Sequence, residues 1–155
     1  MGIGIVNNYR KSATQSVSNA NTGATPVDIV DLSGFAIAAA QKVHVEWWIP
    51  FALGATGGFR FLFLASQTPV SNTVSMEVID CTTANTFFSQ VQTALPTVAF
   101  TNASAVAGNY IAKVVADING HATVAGTFGL QYAQNNATAN ANVIQIGAFA
   151  RVVYL

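Results

Sequence analysis

Apolar and polar residues alternate with a period of two along most of this chain, and that pattern predicts strands throughout. The clearest run is Lys42–Phe51 (KVHVEWWIPF). Val43, Val45, Trp47, Ile49 and Phe51 fall on one face, with Lys42, His44, Glu46 and Trp48 on the other. Pro50 near its end suggests a strand terminus or an edge. Pro26–Leu32 alternates, with Val27, Ile29 and either Val30 or Leu32 turned inward. Gly58–Leu64 (GFRFLFL) puts Phe59, Phe61 and Phe63 on one side. Its other side, Arg60, Leu62 and Leu64, is also largely apolar, so the strand is expected to be covered on both sides, by a second sheet and by another subunit.

Thr73–Asp80 alternates again, with Val74, Met76 and Val78 inward. Thr82–Thr93 fits a short helix or a loop with a strand, and Thr97–Phe100 a short strand. Asn109–Asn119 sets Tyr110, Ala112, Val114, Ala116 and Ile118 on one face. Asn119-Gly120 is a type I′ hairpin signal, with His121–Tyr132 running back and placing Ala122, Val124, Gly126, Phe128, Leu130 and Tyr132 inward. Val143–Leu155 is a last strand, expected to be built into the sheet. Roughly eight to ten strands at such spacings describe an all-β, antiparallel β-sandwich.

The segment from Asn7 to Thr25 breaks the pattern. It is rich in Asn, Ser and Thr, and reads as an extended arm with a short edge strand near Thr14–Val17. Residues 1–25 are therefore assigned to an N-terminal arm that orders against a neighbouring subunit or stays disordered, and 26–155 to one sandwich domain.

Composition changes the picture in one respect. Only 8% of the 155 residues are charged, against roughly 25% in an ordinary soluble domain. A surface so poor in ionic groups fits burial against other subunits, where charge is depleted, or a setting where neutral polar surface suffices. The six basic and six acidic residues are dispersed along the chain, so neither nucleic acid nor an acidic membrane surface is an expected partner. No run of about 18 apolar residues is present, so no transmembrane helix is expected. The N-terminus lacks the basic start and apolar run of a signal peptide, so synthesis in a cytoplasm without classical export is expected.

Candidate chemistry is sparse. His44 and Glu46 share a strand face, a pair able to bind metal or move a proton, or simply to make a surface hydrogen bond. His121 has no ligand-spaced neighbour. Cys81, the one cysteine, reads as a small buried hydrophobe, with a reactive thiol the alternative. No GxSxG elbow occurs, and LGATGG lies between strands, so it is a turn and not a phosphate loop. Asn102-Ala-Ser and Asn136-Ala-Thr match the glycosylation sequon by coincidence. No catalytic residue, cofactor or metal is expected. If Trp47 is core, Trp48 points outward, as a subunit contact, a residue covered by its own loops, or a sugar-stacking platform.

GTFGLQYAQNNATANANVIQIGAFARVVYL resembles the closing hairpin of many tailed-bacteriophage virion proteins, in which an Asn/Thr/Ala-rich loop leads to a Gly-aromatic terminal strand. VHVEWWIPFALGATGGFRFLF looks like the upstream core hairpin of the same kind of domain, and the likeness spans about 41–155. The resemblance implies a jelly-roll or TNF/C1q-like sandwich, a homotrimer. It implies a head decoration (cement) protein on the capsid exterior, partnered by the major capsid protein, with a receptor- or glycan-binding fibre tip as the alternative. Tyr9, Arg10, Lys11, Trp48, Arg60, Leu62, Phe149 and Arg151 are the candidate subunit or capsid contacts.

Overall fold

The computed structural model describes residues 4–17, 25–54, 58–82, 86–93, 96–103, 105–136 and 140–155. The strands in chain order are β1 (Ile5–Arg10), β2 (Gln15–Val17), β3 (Val27–Asp28), β4 (Phe35–Ile37), β5 (Lys42–Leu53), β6 (Phe59–Ala65), β7 (Ser71–Asp80), β8 (Thr86–Gln92), β9 (Thr97–Asn102), β10 (Gly108–Asn119), β11 (Gly126–Gln134), β12 (Asn142–Ile144) and β13 (Phe149–Tyr154). Among the described residues there is no helix, which places Thr82–Thr93 on the strand side of its two readings.

Two antiparallel sheets face each other. The first runs β1-β13-β5-β10-β7-β8, with β2 paired to β12 and β12 to β5; the second runs β3-β11-β6-β9, with β4 also on β11. Three pairs of short strands, β1 with β2, β3 with β4 and β12 with β13, each act as one bent strand. On that count the chain has eight strand positions. The first sheet holds positions one, eight, three and six, and the second holds two, seven, four and five. This is jelly-roll topology, widened by a β7–β8 hairpin inserted between positions four and five and added beside β10.

The topology corrects three local expectations. Asn119-Gly120 does not close a hairpin: β10 pairs with β5 and β7, while β11 lies in the opposite sheet against β6, β3 and β4. A type I′ turn needs positive φ at both central residues, and neither Asn119 nor Gly120 has it. Gly120 is required for a different reason: a Cβ there would lie 3.0 Å from the Ala38 carbonyl and 3.1 Å from that of Gln41. Its N–H donates to Gln41 O at 2.8 Å. Ala122 and Val124 are consequently exposed, on a link between sheets. Likewise β5 and β6 belong to different sheets, as do β11 and β13, so neither segment quoted for the resemblance is a hairpin within one sheet. Among the described residues, β7 and β8 are the only consecutive strands that pair. The glycine turn's residues 55–57, arm residues 18–24 and loop residues 137–139 lie outside the described residues, as do Ser104 and Thr138 of the two sequons.

The core forms where the inner faces meet. Val43, Val45, Trp47, Ile49 and Phe51 from β5 pack against Phe59, Phe61 and Phe63 from β6 and Phe128, Leu130 and Tyr132 from β11. Aromatic rings interlock edge to face: Phe61 and Tyr132 centroids are 4.8 Å apart and Phe51 and Phe61 5.4 Å. Trp47 places its Nε1–H on the Leu32 carbonyl at 3.0 Å. Between Val30 and Leu32 the structure decides for Leu32, which is fully buried while Val30 is exposed.

Pro50 sits inside a central strand, against the expectation of a strand terminus or an edge. It opposes Ile111 on one side, and on the other faces the gap between β12 and β13, where Gln145 N donates to its carbonyl. A residue without an N–H is tolerated there because the partner strand is interrupted.

The described part of the N-terminal segment, residues 4–17, is extended, and its pairing is made within its own chain. β1 pairs with β13 over six residues and β2 with β12 over three. It is polar because it is an edge with one face to solvent. Gln15 ties it down: Oε1 accepts from Val30 N and Lys11 Nζ, both at 3.0 Å, and Nε2 donates to the Asp28 carbonyl at 2.8 Å.

Candidate interaction face

The outward residues of the first sheet form cross-strand rows. In one row, Arg10, Phe149, Trp48, Lys113, Glu77 and Ser89 stand side by side across six strands. In the next, Asn8, Arg151, Glu46, Val115, Ser75 and Val91 do the same. Side chains directly opposite on neighbouring strands are close enough to touch. Trp48 and Phe149 stack, with centroids 6.3 Å apart and planes 14° apart. Lys113 Nζ lies 5.1 Å from the centre of the Trp48 ring, a cation–π contact.

Charge, dispersed in sequence, is gathered here. Lys42, Glu46, Glu77, Lys113, Asp117, Arg10 and Arg151 project from this face, seven of the twelve ionic side chains. Four are cations and three anions, so the face is mixed. His44 Nδ1 donates to Asp117 Oδ1 at 2.7 Å, and its Nε2 is 3.9 Å from Glu46, which in turn is 3.9 Å from Arg151. These groups lie on an open strand surface and are part-exposed. His121 is elsewhere, accepting the backbone N–H groups of Thr123 and Val124 on the link after β10. Among the described residues no group of three His, Cys, Asp or Glu side chains could hold a metal ion.

Of the eight expected contact residues, Arg10, Trp48, Phe149 and Arg151 come together on this face. The other four do not. Tyr9 turns inward and packs on Phe35, with ring centroids 4.4 Å apart. Lys11 is 4% exposed and spent on Gln15 and the Val30 carbonyl; its burial lowers the ammonium pKa. Arg60 and Leu62 belong to the second sheet, and Leu62, at 8% exposure, is already covered within the single chain. Sequence reasoning missed Lys113 and Glu77, which complete the aromatic row. Their outward parity was legible, but which strands flank β5 was not. Cys81, expected buried, is exposed because it falls on the turn just past β7.

The sandwich also holds a polar clip in its interior. Asn142 Nδ2 donates to the Tyr132 hydroxyl at 3.0 Å and its Oδ1 accepts from Gly54 N at 3.2 Å. Burial drives the Tyr132 hydroxyl pKa far upward, so it serves as a neutral acceptor.

No protein-family model matches the chain. No curated protein matches it in sequence. Among solved structures it is similar to that of the infectious bursal disease virus Gx strain, at 9% identity and a TM-score of 0.24, over 98% of this chain and 39% of that one. It is also similar to the infectious bursal disease virus VP2 subviral particle, at 11% identity and a TM-score of 0.24, over 98% and 41%. The chain thus spans about two fifths of the length of those proteins. Likeness at this level carries no functional argument.

Proposed function

We propose that this chain is a structural, non-enzymatic virion protein that decorates the outer surface of a capsid and stabilises the shell. The observation that carries this reading is the row Arg10–Phe149–Trp48–Lys113–Glu77 on the outward face of the first sheet. Tryptophan and arginine are the side chains that most often dominate protein–protein contacts. A row of aromatic and mixed-charge side chains spread across five strands suits the extended surface of another protein. The jelly-roll topology is compatible, since capsid proteins use it among other functions. The phage-virion resemblance of the 126–155 segment supports the setting, the major capsid protein as partner and the homotrimeric state. A protein that binds only the assembled shell stabilises it by mass action.

The test is co-sedimentation of the purified protein with shells lacking it, followed by heating. Bound protein and a higher shell-disruption temperature are expected, and Trp48→Ala should abolish both. No binding to shells would reject the reading. The alternative, a fibre-tip glycan-binding domain, is favoured by the outward Trp48 ring alone. It predicts glycan-array signal that Trp48→Ala removes.

A further inference from the structure

The link from β10 to β11, residues 120–125, carries the chain from one sheet to the other. Its first two residues are pinned to the 38–41 turn by backbone bonds. Gly120 N donates to Gln41 O at 2.8 Å, and Ala40 N donates to His121 O at 2.8 Å. Beyond them the chain has no ladder to join, and Ala122, Thr123, Val124 and Ala125 are exposed. The His121 side chain holds this stretch. Its Nδ1 accepts Thr123 N at 3.2 Å and Val124 N at 3.1 Å, and among the described residues neither N–H has another acceptor.

An imidazole nitrogen accepts only while it carries no proton. The one lone pair of Nδ1 is shared here between two donors, so the form that fits is the neutral ring with its proton on Nε2. The charged ring is a donor at both nitrogens, and would aim an N–H at two N–H groups aimed back at it. We infer that His121 is an acid-sensitive catch on the link between the sheets: unprotonated, it folds residues 122–125 back on themselves, and protonated, it lets them go. Histidine is the side chain whose charge ordinarily changes between about pH 5 and 8.

The surroundings favour release over compensation. A carboxylate beside the ring would hold the charged form in place, yet among the described residues none lies within ion-pairing distance of His121. The side chains that line a small cavity with it come from β4, from β6 and the loop after it, from β10 and from β11, and none of them is charged or titratable. The 38–41 turn, Ala-Ala-Ala-Gln, adds none. The nearest charged residues along these elements, Lys42 and Asp117, project from the outward face of the first sheet, where Asp117 is bonded to His44. His44 makes the contrast: its Nδ1 donates to a carboxylate, a bond that survives protonation of the ring. His121 alone of the two histidines makes bonds that protonation breaks. Beneath the link lie Ile37, Ala65 and Phe128, members of the core, so release thins the cover over that end of the sandwich. The inference does not rest on the capsid reading.

The experiment uses the purified full chain labelled with nitrogen-15. Long-range proton–nitrogen correlation reads the ring tautomer, and hydrogen exchange, corrected for its intrinsic pH dependence, reads the Thr123 and Val124 amides. At pH 8 the ring is expected to carry its proton on Nε2. As the ring titrates, both amide signals should move with it, and their protection should fall about tenfold or more by pH 5. His121→Asn, whose Oδ1 offers an acceptor that does not titrate, should keep the protection at both pH values. His121→Ala should lack it at both, with circular dichroism confirming that the sandwich is intact. A proton on Nδ1 at pH 8, amides that hold still while the ring titrates, or an Asn variant that loses protection in acid as the parent does would each overturn the inference.

Discussion

Trp48 and Phe149 oppose each other on β5 and β13 with their ring planes 14° apart, so two strands distant in sequence share one aromatic surface. Both rings are half-buried and neither belongs to the interior cluster. Truncating either should therefore affect recognition more than folding. Phe149→Ala is expected to weaken shell binding by at least tenfold, about 1.4 kcal/mol or more, while costing about 1 kcal/mol of stability. Binding isotherms beside thermal melts check this. Equal loss in both would assign the pair a purely structural role.

Asn72 faces inward beside Ile118 and is 5% exposed, yet neither its Oδ1 nor its Nδ2 has a hydrogen-bond partner among the described residues. An unsatisfied buried amide costs about 1–3 kcal/mol. Asn72→Leu is expected to raise the melting temperature by roughly 2–4 °C, the shift that about 1 kcal/mol produces in a domain of this size. A lower melting temperature would contradict the assignment.

Gly58 has φ +67, and a Cβ built there would lie 2.0 Å from the Asn102 carbonyl oxygen. Backbone on both sides leaves no flexible atom to yield. Gly58→Ala is expected to cost about 3 kcal/mol or more, measured as a shift in denaturation midpoint. By contrast Gly34→Ala, with positive φ but open space, should cost about 1 kcal/mol.

Asp31 accepts from Ser12 N at 3.1 Å and Ser12 Oγ at 2.8 Å, and these bonds, the backbone one first, lower its carboxyl pKa. A lowered carboxyl pKa in the fold means stability that is complete above the ordinary value of 3.8 and is lost as pH falls through the depressed one. Asn tolerates the positive φ of this position, so Asp31→Asn isolates the charge. The variant should be less stable than the parent at pH 7, with the gap closing under acid. Urea midpoints at neutral pH and near pH 3 measure it.

Period-two alternation made nearly every long strand and the inward faces of β5, β6, β7 and β10 legible, because burial on one face leaves a direct mark on side-chain type. What alternation does not record is which sheet the chain enters after a turn. Asn119-Gly120 looked like a hairpin because Asn-Gly serves tight turns, yet that glycine accommodates two carbonyls from the 38–41 segment. The same blind spot hid the outward aromatic row. Trp48 was visible as outward-facing, but its contact with Lys113 needs β10 beside β5, a pairing made across sixty-odd residues. Lys11 misled for a related reason, since a basic residue in a polar segment gives no sign that Gln15 and Val30 enclose it.

The position of β13, enclosed between β1 and β5, bears on how the molecule is made. β1 leaves the ribosome first and β13 last among these strands, and the first has no neighbour until the last arrives. β5, β10, β7 and β8 can pair before β11 emerges, but β1 must wait for β13. The first sheet is therefore completed only after its final strand is translated, and a fold so rich in remote pairings forms slowly for its size. Until then β1 has no partner strand and part of the inner face is uncovered, the kind of exposed surface that makes unfinished chains prone to aggregate.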